Sequence, residues 1–341
     1  MKMTINTNNV KKIFLVAFIF ATATAFAQKE EHKKATITGS LDTYYRTNLS
    51  TTDKNIGDAN NPIIVAPFTS FADEIGFALG MANIITNYES EKVGGVVDIA
   101  FGPRGNAATG DYNLNQLYAF WDVNKNTTLT MGRFNTYLGY EVIAPVANFN
   151  YSTSYLFSNG PFSHTGLKAD FSLSENTSLM LAVMNVTDVN NNLTGVYSVG
   201  AQLGFIDQYI NFYYDGGETL GFEIDYTGGL NLSNDFFLGF NAAYADNEGN
   251  GFYGAALYPQ LTTCESFTLG LRGEYFSWMS DGVSNSPSVF AATLTGSYTI
   301  DNLIIKPELR LDTHSEEVFP DNDLNATKSL SSLTIVAILT F

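Results

Sequence analysis

Apolar and polar residues alternate along most of this chain. In the terminal stretch "SSLTIVAILTF", Leu333, Ile335, Ala337, Leu339 and Phe341 fall on one face. Ser332, Thr334, Val336, Ile338 and Thr340 fall on the other, so one face is wholly apolar and its opposite is mixed. A period of two is that of a β-strand. "ITGSLDTYYR" repeats it, with Ile37, Gly39, Leu41, Thr43 and Tyr45 set against Thr38, Ser40, Asp42, Tyr44 and Arg46. So do "LYAFWDV", "GLKADFSL", "VYSVGAQLGF", "FTLGLRGEY" and "LIIKPELRLD". The pattern predicts about sixteen strands, or fourteen at the lower count.

The spacing of the segments carries a second signal. Short connections (88–92, 122–127, 174–177, 206–208) alternate with long ones (48–70, 135–163, 277–288, 313–328). A β-sandwich has no reason for such alternation, whereas a transmembrane antiparallel barrel has short turns on the periplasmic side and longer loops outside. In lipid every backbone group must be bonded internally, so a sheet spans only if it closes and leaves no edge. Outward residues then meet acyl chains and are apolar, and inward residues meet water. The fold expected is an all-β outer-membrane barrel over 35–341, with both termini at the periplasmic end. The final Phe341 then lies at the membrane interface, where a soluble domain would leave it in water.

The start of the chain fits export. Lys11 and Lys12 precede an apolar stretch from Ile13 to about Phe26, closed by Ala25-Phe26-Ala27. That stretch is too short for a membrane span, so 1–27 reads as a cleaved signal peptide and 28–34 as a periplasmic lead. Composition agrees: 26 Phe, 19 Tyr and 29 Gly mark a β-rich chain. The remainder is strongly acidic, since 34 acidic residues face 17 basic ones even before the three lysines of the leader are removed. A general basic field for nucleic acid is therefore absent. Cys264 is the single cysteine, which rules out an internal disulfide.

Catalytic and metal signatures are weak. His164 in "PFSHTG" sits near serines, which raises the option of a lipid hydrolase, but no third orienting group is identifiable. No cysteine–histidine metal spacing occurs, so no cofactor is expected. The informative stretch is the loop 135–164, "NTYLGYEVIAPVANFNYSTSYLFSNGPFSH". It holds seven aromatics and one charge, Glu141. A solvated loop would be more polar, so this one is expected to pack, either into the lumen or over the barrel mouth or a subunit interface. Arg133, Glu141, Tyr137 and Tyr140 are the candidate constriction residues, with Arg133 and Glu141 as the preferred pair. Strand parity assigns Arg46, Lys168, Arg272, Glu274, Lys306, Glu308, Arg310 and Asp312 to the lumen wall. Leu129 and Met131 share the face of Arg133, which puts the parity of that strand in question.

"NQLYAFWDV", "LTMGRFNTYLGYEV" and "NFNYSTSYLFSNGPFSHTGLKADF" resemble the OmpL-like β-barrel porin family of Gram-negative outer membranes, best over about 114–173. The resemblance implies a non-enzymatic channel for passive diffusion of small hydrophilic solutes. Phe341, a terminal aromatic on an alternating strand, resembles the signal that the assembly machinery reads in outer-membrane barrels generally, and a homotrimer stays open. A sugar-preferring channel, a closed structural barrel and a lipid hydrolase are the competing readings.

Overall fold

The computed structural model describes residues 34–341 except residue 59, so the leader and His32 lie outside it. Sixteen antiparallel strands close into one barrel. They are β1 (Lys34–Asn48), β2 (Gly76–Glu89), β3 (Val93–Phe101), β4 (Leu114–Asn124), β5 (Thr127–Asn135), β6 (Ser163–Ser172), β7 (Thr177–Met184) and β8 (Ser198–Phe205). The second half comprises β9 (Gln208–Tyr214), β10 (Phe222–Asn231), β11 (Phe236–Asn247), β12 (Asn250–Cys264), β13 (Phe267–Met279), β14 (Ser288–Ile300), β15 (Leu303–His314) and β16 (Ser329–Thr340). Each strand pairs with its chain neighbours. β1 pairs with β16 from Ser40↔Thr340 to Asn48↔Ser332, which removes the last sheet edge.

The alternation sorts the residues as the sequence predicts, but inverted relative to a soluble protein. Phe77 is 91% exposed and Ile37 68%, whereas Arg272 and Glu274 are fully buried. An apolar exterior around a charged interior is stable only against a non-aqueous solvent. No helix among the described residues is long and apolar enough to cross a membrane.

The two ends of the barrel differ. At one end the connections are short: 90–92, 125–126, 173–176, 206–207, 232–235, 265–266 and 301–302. At the other lie 49–75, 102–113, 136–162, 185–197, 215–221, 280–287 and 315–328. An eighth connection at that second end departs from the expected alternation. β11 and β12 join through Glu248 and Gly249 alone, both with positive φ, the conformation of a two-residue hairpin.

Candidate pore constriction

Residues 136–162 leave β5 and run along the inner wall. Tyr137 donates its hydroxyl to the carbonyl of Phe212 on β9 (2.8 Å). The Gly139 amide donates to the Asp225 carboxylate on β10. Tyr140 stacks on Tyr258 of β12 at 4.3 Å between centroids. It fits there because β11 offers Gly239, where a Cβ would stand 2.7 Å from the ring. Further along, Asn148 accepts from Lys306 of β15 (2.6 Å) and Asn150 donates to Thr295 of β14 (2.7 Å). Tyr151 reaches β1, donating its hydroxyl to Asp42 (2.6 Å). The segment therefore touches the wall from β9 round to β1, more than half the circumference.

The tightest anchorage is ionic. Glu141 and Arg272 of β13 form a buried pair at 2.6 Å. Glu141 also accepts from the Ser154 amide (2.7 Å), and Arg272 donates to the carbonyls of Ser152 (2.6 Å) and Thr153 (3.2 Å). A buried pair offsets its desolvation only when the leftover donors and acceptors are also met. Here most are, although Arg272 Nε lacks a partner. Glu308 takes the amides of Tyr151 (2.8 Å) and Ser152 (3.1 Å). The short helix Tyr155–Asn159 follows, capped by Ser154 Oγ on the Phe157 amide. Glu274 accepts from its first two amides, Tyr155 (3.0 Å) and Leu156 (2.8 Å), satisfying donors that a helix start leaves open.

Two further loops fold inward. The helix Gly102–Thr109 carries Arg104, whose guanidinium donates to Ile143 O (2.7 Å) and Tyr151 O (3.2 Å) and lies 4.7 Å from the Phe71 ring centroid. Phe71, Met81, Ala100, Ala108, Ile143 and Phe157 make one apolar cluster there. The Asp42 site needs a gap in β2. The β1–β2 register shifts between Leu41 and Thr43, and a Cβ on Gly80 would lie 2.7 Å from Tyr151 Oη.

Of the residues singled out in the sequence, Tyr137, Tyr140, Glu141, Arg272, Glu274, Lys306 and Glu308 meet in this assembly. Arg310 joins them through Thr153 O (2.8 Å) and pairs with Asp312 (2.9 Å). Arg46 is buried in the lumen too, but under loop 49–75, donating to the carbonyls of Val65 and Asp73. Lys168 and Asp170 pair with each other at 2.8 Å, part-exposed. Arg133 does not partner Glu141. It is opposite Leu117, on the outward parity of β5, and donates to Asn115 O (3.2 Å) and to Asn190 Oδ1 (2.7 Å) in loop 185–197. Near the strand end an arginine on that face bends its long stem away from the apolar band. His164 is buried with Nε2 2.9 Å from Thr136 Oγ1, and the neighbouring Ser163 hydroxyl donates to Asp188 instead (3.1 Å). Phe341 exchanges backbone hydrogen bonds with Gly39 (2.9 and 3.0 Å) and is 56% exposed. Sequence reasoning missed Arg104, although a lone charge within "GPRGNAATG" is the same signal that marked Glu141.

The fold has solved counterparts. An anion-selective porin from Comamonas acidovorans superposes with a TM-score of 0.60 at 8% identity, covering 91% of this chain and 100% of that one. Outer-membrane OmpT of Vibrio cholerae gives 0.53 at 11%, covering 93% and 100%. A substituted variant of the Rh. blastica porin gives 0.54 at 11%, covering 91% and 100%. At such identities the likeness is one of fold. No curated protein matches the sequence. The family model described as "Putative beta-barrel porin-2, OmpL-like" matches residues 34–341, the whole barrel. This chain belongs to that family and is an outer-membrane porin.

Proposed function

We propose that the segment 136–162 sets the size and charge limits of a pore for passive diffusion of small hydrophilic solutes, without catalysis. The observation that carries this reading is the Glu141–Arg272 pair, which ties the first part of the segment to the far wall. Unpaired charge flanks it unequally. Arg46, Arg104 and Lys306 donate to backbone carbonyls with no carboxylate in ion-pair reach among the described residues, and they cluster around β1 and β15. Glu223 and Asp225 stand on β10 without a cation in ion-pair reach among the described residues. Opposed charges across a constriction orient dipolar solutes and filter ions.

The Ser163 hydroxyl turns to Asp188 rather than to His164, which removes the main support for a hydrolase. Recognition of Phe341 by an assembly machinery and export through a leader over 1–27 belong to the same reading. Replacing 142–153 by a short Gly/Ser linker is expected to raise single-channel conductance several-fold in a planar bilayer; an unchanged step size would overturn the role of the segment.

A second reading has its own support. Wall side chains are buried on strand after strand, including Asp42, Asp98, Thr130, Met184, Asn211, Glu223, Arg272, Thr295 and Glu308. A barrel packed this fully conducts only when the segment shifts. It predicts rare, brief openings in the native chain and sustained ones after the replacement.

A further inference from the structure

Below the segment, toward the periplasmic end, a cavity of about 490 Å³ opens between residues 146–150 and strands β11 to β15. Its lining combines aromatic faces with polar donors. Phe149 and Phe237 line it without another ring of the described residues stacked on them, while Tyr140, held between Tyr258 and Gly239, closes one side. Lys306 reaches its rim, with its ammonium on Asn148 O (2.6 Å) and Pro145 O (3.5 Å). Those carbonyls use two of three donors, and Lys306 is in none of the ion pairs among the described residues. The carboxylate in the lining, Glu141, is already neutralised by Arg272. Gln260 and Ser297 are half-buried in the lining, and neither side chain has a hydrogen-bond partner within the described protein.

This inventory specifies a ligand. A spare ammonium donor with no carboxylate in ion-pair reach among the described residues selects an anion, and a charge-assisted hydrogen bond is stronger than a neutral one. Unused amide and hydroxyl groups select neighbouring hydroxyls. Flat aromatic faces select a ring with an apolar side. The volume lies in the usual range for a small-molecule site. The adjoining cavity of about 430 Å³, which shares Tyr140 and Phe237, instead contains Asp207 and no basic side chain. The contrast places the anionic group beside Lys306.

We propose that the cavity beneath the segment binds a sugar acid, its pyranose ring on the aromatic faces, its hydroxyls on Gln260 and Ser297, and its carboxylate on Lys306. The proposal rests on the porin reading only in that the solute arrives through the lumen. Calorimetry on the refolded full barrel in detergent, with D-galacturonate, D-galactose and propionate as probes, tests it. Galacturonate is expected to bind at least about tenfold more tightly than either of the others, the effect of one charge-assisted bond or one ring contact set. Lys306→Gln is expected to erase the preference for galacturonate over galactose. Because Lys306 also holds the segment, Gln260→Leu serves as the independent variant and is expected to weaken galacturonate about tenfold with unchanged heat-modifiable mobility. Equal binding of galacturonate and galactose, no binding of any probe, or full affinity in Gln260→Leu would overturn the assignment. Bilayer currents without sugar keep the two readings apart: current without binding sinks the site alone, and binding without current sinks the porin reading alone.

Discussion

Replacing Arg272 by Met is the sharpest perturbation the structure offers. The guanidinium is fully buried and meets Glu141, the Ser152 and Thr153 carbonyls and the Thr293 hydroxyl (3.2 Å). Met fills much of the same space, so the loss is electrostatic. Glu141 is left as a buried carboxylate with only the Ser154 amide, a penalty of about 3–5 kcal/mol. The Ser152 carbonyl loses its donor at 2.6 Å, whereas Thr153 keeps Arg310. The strand ladder of β12, β13 and β14 is untouched, so the cost falls on the segment. It is relieved when the segment leaves the wall and Glu141 returns to water. We therefore expect heat-modifiable mobility to stay the same, new protease cuts to appear within 136–162, and single-channel conductance to rise. The double variant Arg272→Met with Glu141→Leu removes the stranded charge and is expected to restore protection. If the single variant keeps both native protease resistance and native conductance, the claim that this pair anchors the segment is wrong.

Other predictions concern separate parts of the molecule. Gly80→Ala puts a Cβ 2.7 Å from Tyr151 Oη and is expected to break its bond to Asp42, worth about 1.5–3 kcal/mol; faster hydrogen exchange at the amides of Tyr151 and Ser152 would register it, and native exchange would count against it. Deleting Phe341 removes its backbone exchange with Gly39 at the barrel seam, and a lower yield of heat-modifiable barrel in the outer membrane is expected, with normal yield contradicting the assembly role. In loop 315–328, the Asp321 carboxyl accepts from the Asn325 amide and side chain and from the Asp323 amide, which holds its pKa below the ordinary value of 3.8. A depressed acid stabilises its turn above the unfolded value and loses that contribution as pH falls through the lower folded one. Exchange at the Asn325 amide should therefore be protected at pH 6 and released in strong acid; the same protection at both would refute the linkage.

The strands were legible because a barrel wall divides two solvents, and that division is written as a period of two. Leu309 and Leu311 face out while Glu308, Arg310 and Asp312 are buried, as the run "PELRLD" states on its own. Arg133 was not legible. Gly132 next to it has φ +140 and backs directly onto Tyr118, and Arg133 and Phe134 are both buried although their parities differ. Loop 185–197 covers one and the lumen the other, a tertiary fact with no local signature. The partner of Glu141 was hidden for the same reason, since 131 residues separate it from Arg272. Parity places Arg272 in the lumen and composition makes the loop of Glu141 pack, but neither carries information on which wall charge that loop reaches.

The barrel holds its insert mainly by main-chain atoms. Asp225, Glu274 and Glu308 take amides, while Arg104, Arg272, Lys306 and Arg310 take carbonyls. Apart from the side chains of Tyr137, Tyr140, Glu141, Asn150 and Tyr151, such a socket recognises the course of a backbone. Mutation can therefore rewrite Val146, Ala147 or Phe149 while the grip persists, so drift in what the channel admits is uncoupled from drift in whether it holds together. A related barrel with the same seven charged positions would be expected to accept this insert by transplantation, bringing its filter with it.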